Sequence, residues 1–95
     1  MSVIVGTLVL DLYVSDAVTL KDKRQVVKSL LGRAGDRFNV SVAEVGALDN
    51  PRRATLAIAT VSNTREQVDR VLNAVLRFCE SEPRAQIVQV EMEIG

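Results

Sequence analysis

Apolar and polar positions along the chain predict four strands. Residues 3–14 alternate between the two sides of an extended backbone and are rich in β-branched side chains, which is typical of a strand. Residues 38–46, 54–62 and 87–94 have the same character. The turn sequence Leu48-Asp49-Asn50-Pro51 separates the second segment from the third, so these two strands are expected to form a hairpin. In the fourth, Val88, Val90, Met92 and Ile94 are expected on one face.

A first helix is predicted over residues 20–36. Thr19 and Asp22 have the spacing of a capping box, with aspartate in place of the usual glutamate. Gly32 and Gly35 weaken the last turns by about 1 kcal/mol each relative to alanine, so packing has to hold that end. The apolar stripe of the helix consists of Leu20, Val27, Leu30, Leu31 and Ala34.

A second helix begins after Asn63 or Thr64. Asn63 with Glu66 and Thr64 with Gln67 are both suitable caps, and the helix is expected to end near Glu82. Its apolar stripe consists of Val68, Val71, Leu72, Val75, Leu76 and Cys79.

The order β-α-β-β-α-β, with right-handed crossovers, is that of the ferredoxin-like split β-α-β arrangement. We therefore predict an α+β fold: one domain over residues 1–95, with a four-stranded antiparallel sheet in the order 4-1-3-2 and two helices on one face. The other face should then be polar.

The two central strands do not follow that rule, because both of their faces are apolar. A patch of this kind usually marks association, so we predict a homodimer or larger assembly through the helix-free face. The alternative is that small side chains there only reflect β-propensity. The residues expected at the interface are Val5, Thr7, Val9, Tyr13, Ala57, Ala59 and Val61.

Composition argues against most catalytic chemistry. The chain has no histidine, and its one cysteine, Cys79, lies on the apolar stripe of the second helix. No phosphate-binding glycine motif or Cys-x-x-Cys pair is present, so we expect no enzyme activity, metal or cofactor. Acidic and basic residues balance at 12 each, and no segment has the length of a membrane span or the pattern of a signal peptide. These features predict a cytoplasmic protein without a membrane partner.

The acidic residues of the strands are expected to be exposed sheet residues rather than catalytic pairs. They are Asp11, Glu44, Glu91 and Glu93. Asp11 interrupts an apolar face, and an ion pair with a neighbouring arginine is the preferred explanation for it. Aromatic residues are limited to Tyr13, Phe38 and Phe78, too few for a base-stacking sheet that binds single-stranded RNA.

Basic residues concentrate in the first helix, where residues 21–37 carry about four net positive charges. At about 100° per residue, Lys21, Arg24 and Lys28 share one flank, which could grip phosphates. The stem of Lys23 is expected along the sheet rim with its amine at the edge. A solvated helix face is the alternative, and the sequence alone favours it. The candidate nucleic-acid-binding residues are Lys21, Lys23, Arg24, Lys28, Arg52 and Arg53.

Three segments resemble the YlxP-like family of small bacterial proteins: Thr-Leu-Lys-Asp-Lys-Arg at 19–24, Phe-Asn-Val-Ser-Val-Ala-Glu-Val at 38–45 and Val-Ser-Asn at 61–63. The chain departs from the family at Pro51, where members often carry tryptophan, and at Gly46, which replaces an acidic residue. The resemblance implies a ferredoxin-like fold and a bacterial cytoplasmic protein whose function is not established. Relatives are often encoded near translation and ribosome-assembly genes, which suggests an RNA partner.

The first functional hypothesis is therefore a non-catalytic accessory protein that self-associates and docks on structured RNA or a ribosomal particle. The alternatives are a regulatory domain that binds a small ligand, supported by the apolar sheet face and the cap of the first helix, and a protein-binding adaptor that acts as a homodimer.

Overall fold

Four strands and two helices follow one another in the predicted order β-α-β-β-α-β. A computed structural model describes all residues from Met1 to Gly95. The strands are β1 (Ile4–Tyr13), β2 (Ser41–Gly46), β3 (Arg53–Ser62) and β4 (Gln86–Ile94), and the helices are α1 (Leu20–Arg37) and α2 (Arg65–Glu80).

All neighbouring strands of the sheet are antiparallel, and their order is β2-β3-β1-β4. This is the predicted order, with the hairpin strand β2 and the last strand β4 at the edges. Leu8 at the centre of β1 stands opposite Ile58 of β3 and Met92 of β4. The fold class predicted from the sequence is confirmed.

Both helices cover one face of the sheet, and the core lies between the two layers. Gly6 of β1 lets α2 approach closely, because a Cβ atom there would clash with the side chains of Val68 and Leu72. Neither helix is long and apolar enough to cross a membrane. The buried core consists of Leu8, Leu10, Leu12, Val27, Leu30, Ala54, Leu56, Ile58, Val68, Leu72, Val75 and Cys79.

The predicted capping box of α1 is present. The Thr19 hydroxyl accepts from the Asp22 backbone N–H, and the Asp22 carboxylate accepts from the backbone N–H groups of Thr19 and Val18, each at 3.0 Å. In α2 the cap is Thr64, whose hydroxyl accepts from the Gln67 N–H, rather than Asn63. The sequence pattern thus located the start of α1, and Thr64 is one of the two caps that it left open for α2.

The second strand begins three residues later than predicted, at Ser41 instead of residue 38. Phe38 closes α1 instead, since its N–H donates to the Ala34 carbonyl. Its ring packs edge-on against Phe78 of α2, with 5.8 Å between the ring centroids. Phe38 therefore packs between the two helices and is not part of β2.

The end of β4 near Val88 departs from strict alternation. The pairing of β1 with β4 shifts register between Asp11 and Leu12, so Ile87 stands opposite Leu12 and packs against the core. Val88 itself has no partner in the register and is 46% exposed, close to the 43% of Val90. A bulge resets the alternation of faces along a strand, and a strict period of two cannot anticipate it.

Candidate nucleic-acid interface

Three basic side chains form a row along one flank of α1: Lys21, Arg24 and Lys28, here called the basic strip. A helix rises 1.5 Å per residue, so successive members are about 4.5 and 6 Å apart along the axis. All three residues are exposed, and none of them forms an ion pair or hydrogen bond within the chain. The strip is therefore free to bind anions from solution.

Lys23 does not belong to the interface, contrary to the sequence-based expectation. Its side chain is 0% exposed, and its Nζ lies 2.8 Å from the Glu44 carboxylate. It also donates to the Ala47 and Leu48 carbonyls at 3.0 and 3.3 Å. An ammonium has three donors, so all of them are used, and none remains for a phosphate.

The expectation that Glu44 is an exposed sheet residue was also wrong. Glu44 stands opposite Leu56 in the register of β2 with β3, which places it on the helix-covered face. Its side chain is 17% exposed and accepts from Lys23. Ala47, at φ 56°, turns the chain just beyond β2 and offers Lys23 its carbonyl. Lys23 therefore ties α1 to the β2–β3 loop. Its place in the apolar arc of α1, four residues before Val27, was the signal in the sequence.

An open groove of about 620 Å³ runs beside the basic strip, between α1 and the edge strand β2. Arg24 and Lys28 stand along its helical side. The helix continues through the two glycines that were expected to weaken it, and both line the groove, where their missing side chains leave the helix surface open. The other lining residues are Val27, Leu31, Asp36, Val42 and Glu44.

Arg52 and Arg53 make contacts of their own outside the strip. The Arg52 Nε donates to the Ala17 carbonyl at 3.0 Å. The Arg53 guanidinium lies 5.1 Å from the centroid of the Tyr13 ring, a cation–π contact between β3 and β1. Both arginines are exposed, but neither lines the groove beside the strip.

The helix-free face of the sheet carries the expected apolar residues at its centre. Val5 and Val61 are 49% and 58% exposed. Thr7, Val9, Ala57 and Ala59 are partly exposed. Glu91 and Glu93 of β4 are exposed along one edge, as predicted.

Asp11 also lies on the helix-free face, but it forms no ion pair with an arginine. The Thr55 hydroxyl donates to the Asp11 carboxylate at 2.7 Å, across the β1–β3 pair. Thr55 stands directly opposite Asp11 in the register, so its short side chain is within hydrogen-bond distance of the carboxylate.

A cluster around Glu82 was missed from the sequence, where Glu82 was only the expected end of α2. The Glu82 side chain is 2% exposed and accepts from the guanidinium groups of Arg33 and Arg84. Hydrogen bonds from Arg84 and Arg33 lower the pKa of Glu82 to about 2. The cluster joins α1 to the α2–β4 connection, and the sequence offered only an acidic residue beside Pro83 as a signal.

Cys79 is buried among the residues of the core. Burial raises the pKa of its thiol to about 11, so the reactive thiolate is scarce at neutral pH. The structure agrees with the interpretation of Cys79 as a small core residue.

The sequence profile of one family matches residues 5–92: Protein of unknown function (DUF503). The chain belongs to this family. The "Uncharacterized protein YlxP" of Bacillus subtilis (strain 168) is 42% identical over 71 residues, which are 75% of this chain and 77% of that protein. The resemblance to YlxP-like proteins found in the sequence is thereby confirmed.

Two solved structures of designed proteins share the fold of this DUF503 chain. "De novo designed protein Foldit4" superposes with a TM-score of 0.57 at 15% identity, over 97% of this chain and 96% of that one. The designed protein LFR1 1 "with ferredoxin fold" gives 0.51 at 14% identity, over 98% and 86% of the two chains. At these identities the likeness concerns the fold alone.

Proposed function

We propose that this DUF503 protein is a non-catalytic accessory protein that docks on structured RNA through the basic strip. The observation that supports the proposal most directly is that Lys21, Arg24 and Lys28 lie in one row, exposed and without a partner in the chain. Phosphate groups are the ligands that such a row of cations attracts.

The other basic residues near α1 have different roles. Lys23 is buried with Glu44, and Arg33 shares Glu82 with Arg84. The Arg37 guanidinium lies 5.5 Å from the centroid of Phe78. Lys23 and Arg33 are thus paired with carboxylates and Arg37 contacts an aromatic ring, whereas the three cations of the strip have no such contact.

The aromatic residues favour a structured RNA over a single strand. Phe38 and Phe78 pack against each other, and Tyr13 lies under Arg53. Binding of single strands depends largely on bases stacked on exposed aromatic rings. Double-helical RNA is bound mainly through its shape and phosphates, which cations on a rigid helix can contact.

The small-ligand alternative loses part of its support. An anion at the start of α1 would need the free N–H groups of the first turn. The Asp22 carboxylate already stands at this helix start, where it accepts from the N–H groups of Val18 and Thr19 just before the first turn, and these hydrogen bonds lower the pKa of Asp22. An incoming anion would meet this negative charge. The cap is thus occupied by a negative charge of the chain itself.

Binding of a fluorescent RNA hairpin, followed by anisotropy, tests the proposal. The double variant Arg24→Glu with Lys28→Glu should no longer bind the RNA hairpin, because two contacts with phosphates become repulsive. Arg70→Glu with Arg77→Glu is the control for the same change of charge, since both arginines are exposed and lie two turns apart on α2. Equal binding by the strip variant and the wild type, or an equal loss in the control, would contradict the proposal.

A further inference from the structure

Two rows with a side chain on every strand cross the helix-free face from edge to edge, and a third, at the level of Asp11 and Thr55, begins at Gly46 on β2. Residues directly opposite each other in the register share a level of the sheet and point to the same side. One row consists of Ser41, Ala59, Thr7 and Glu93, and the other of Ala43, Ala57, Val9 and Glu91, each from β2 through β3 and β1 to β4. Each of these two rows therefore ends in a carboxylate at β4 and in a small side chain at β2.

Both rows also change in size across their centre. On β3 they contain Ala57 and Ala59, whereas on β1 they contain Val9 and Thr7. The β3 half of the face is consequently lower than the β1 half. A surface with one raised and one lowered half is complementary to a copy of itself that is turned so that the halves exchange.

We infer that a second copy of this chain covers the helix-free face, related by a two-fold axis that lies in the interface parallel to the strands, between β1 and β3. This rotation places β1 over β3 of the partner and β4 over β2 of the partner. Val9 then meets the partner's Ala57, and Thr7 meets the partner's Ala59. At the edge, the Ser41 hydroxyl faces the carboxylate of the partner's Glu93, to which it can donate.

The acidic residues of β4 favour this axis over a two-fold axis that runs across the strands. An axis across the strands would place β4 over β4 and bring the Glu91 and Glu93 carboxylates of both copies to the same edge. Like charges that face each other at an interface are unfavourable. With the axis along the strands, each acidic edge instead faces Ser41 and Ala43, which carry no charge.

The area of the helix-free face determines how tightly two copies are expected to bind. Four strands at about 4.8 Å spacing, with six residues of about 3.3 Å each, give a patch of about 19 by 20 Å. Two such patches bury roughly 760 Å², less than the about 1,200 Å² of stable specific interfaces, so the dimer is expected to be weak and to dissociate on dilution. Packed sheets lie about 10 Å apart, close enough for the rows to interdigitate.

Complementary charge substitutions test the arrangement. Val9→Lys and Ala57→Glu, each alone, bury unpaired charges in the interface and should halve the mass seen by sedimentation at high micromolar concentration. An equimolar mixture of the two variants should form a heterodimer, because one contact joins lysine to glutamate and the other keeps the native pair. Native mass spectrometry distinguishes the heterodimer by its mass.

A control variant and a second pair of variants separate loss of the interface from loss of folding. Leu48→Lys, at an exposed apolar residue of the β2–β3 loop, should remain dimeric. If either first variant fails to fold by circular dichroism, Thr7→Glu and Ala59→Lys repeat the design one row away. A wild-type protein that is monomeric at high micromolar concentration overturns the inference, and so do dimeric single variants. Folded, monomeric variants whose mixture stays monomeric overturn the axis.

Discussion

The ammonium of Lys23 lies 2.8 Å from the carboxylate of Glu44, and the lysine side chain is fully buried. It also reaches the Ala47 and Leu48 carbonyls of the β2–β3 loop. Removing one partner of a buried pair leaves the other charge uncompensated, at a typical cost of about 3–5 kcal/mol. Lys23→Met should lower the free energy of unfolding by about 3 kcal/mol, measured by urea denaturation.

Lys21→Met is the matched control for Lys23, because Lys21 is an exposed residue two positions away on the same helix. Its effect on stability should stay within about 0.5 kcal/mol. Similar losses in both variants would show that Lys23 does not tie α1 to the β2–β3 loop.

Glu82 should make stability depend on pH in acid. Its folded pKa of about 2 lies below the ordinary carboxyl value of 4.5, because Arg84 and Arg33 donate hydrogen bonds to the ionised form. The stabilisation is therefore present above pH 4.5 and is lost as the pH falls towards 2. Glu82→Gln should be less stable than the wild type at neutral pH, with the difference shrinking over that range.

Denaturation of Glu82→Gln and wild type at several pH values measures this difference. Glu80→Gln, an exposed neighbour, serves as the control and should follow the wild type at every pH. A stability difference that is the same at neutral pH and in acid would contradict the assignment of the Glu82 cluster.

Two glycines should respond in opposite directions to alanine. A Cβ at Gly6 would clash with Val68 and Leu72, so Gly6→Ala should destabilise the protein by about 1–3 kcal/mol. A Cβ at Gly32 meets nothing within 4 Å, and alanine favours a helix, so Gly32→Ala should stabilise it by about 0.5–1 kcal/mol. Thermal unfolding of both variants checks the pair, and a shift of the same sign in both would count against this packing of α2 on β1.

The fold could be predicted from the sequence because the patterns that indicate each strand and helix are local and occur in several elements. Alternation in β1 and β3, the Thr19 cap and the stripe of α2 each act over a few residues, and all of them agree with one topology. Where prediction failed, a partner distant in sequence decided the outcome. The register shift at Asp11 and Leu12 placed Ile87 against the core, and Phe38 packs against Phe78 instead of starting β2.

The candidate interface was only partly predictable for the same reason. The helical period placed Lys21, Arg24 and Lys28 on one flank, and the structure agrees. Which cations remain free depends on the residues that fold against them. The apolar arc of α1 indicated that Lys23 lies towards the core, but Glu44 is 21 positions from Lys23 and Glu82 is 49 positions from Arg33, so no local pattern identified their partners.

The salt dependence of RNA binding reports how many phosphates the basic strip contacts. Each phosphate contact contributes about −0.7 to −0.9 to the slope of log K against log salt concentration, so a strip of three cations predicts a slope of about −2 to −3. For a double-helical RNA, Lys28→Ala should reduce the magnitude of the slope by about 1, and Arg77→Ala should leave it unchanged. A wild-type slope near zero, or the same slope in the wild type and Lys28→Ala, would contradict docking through the basic strip.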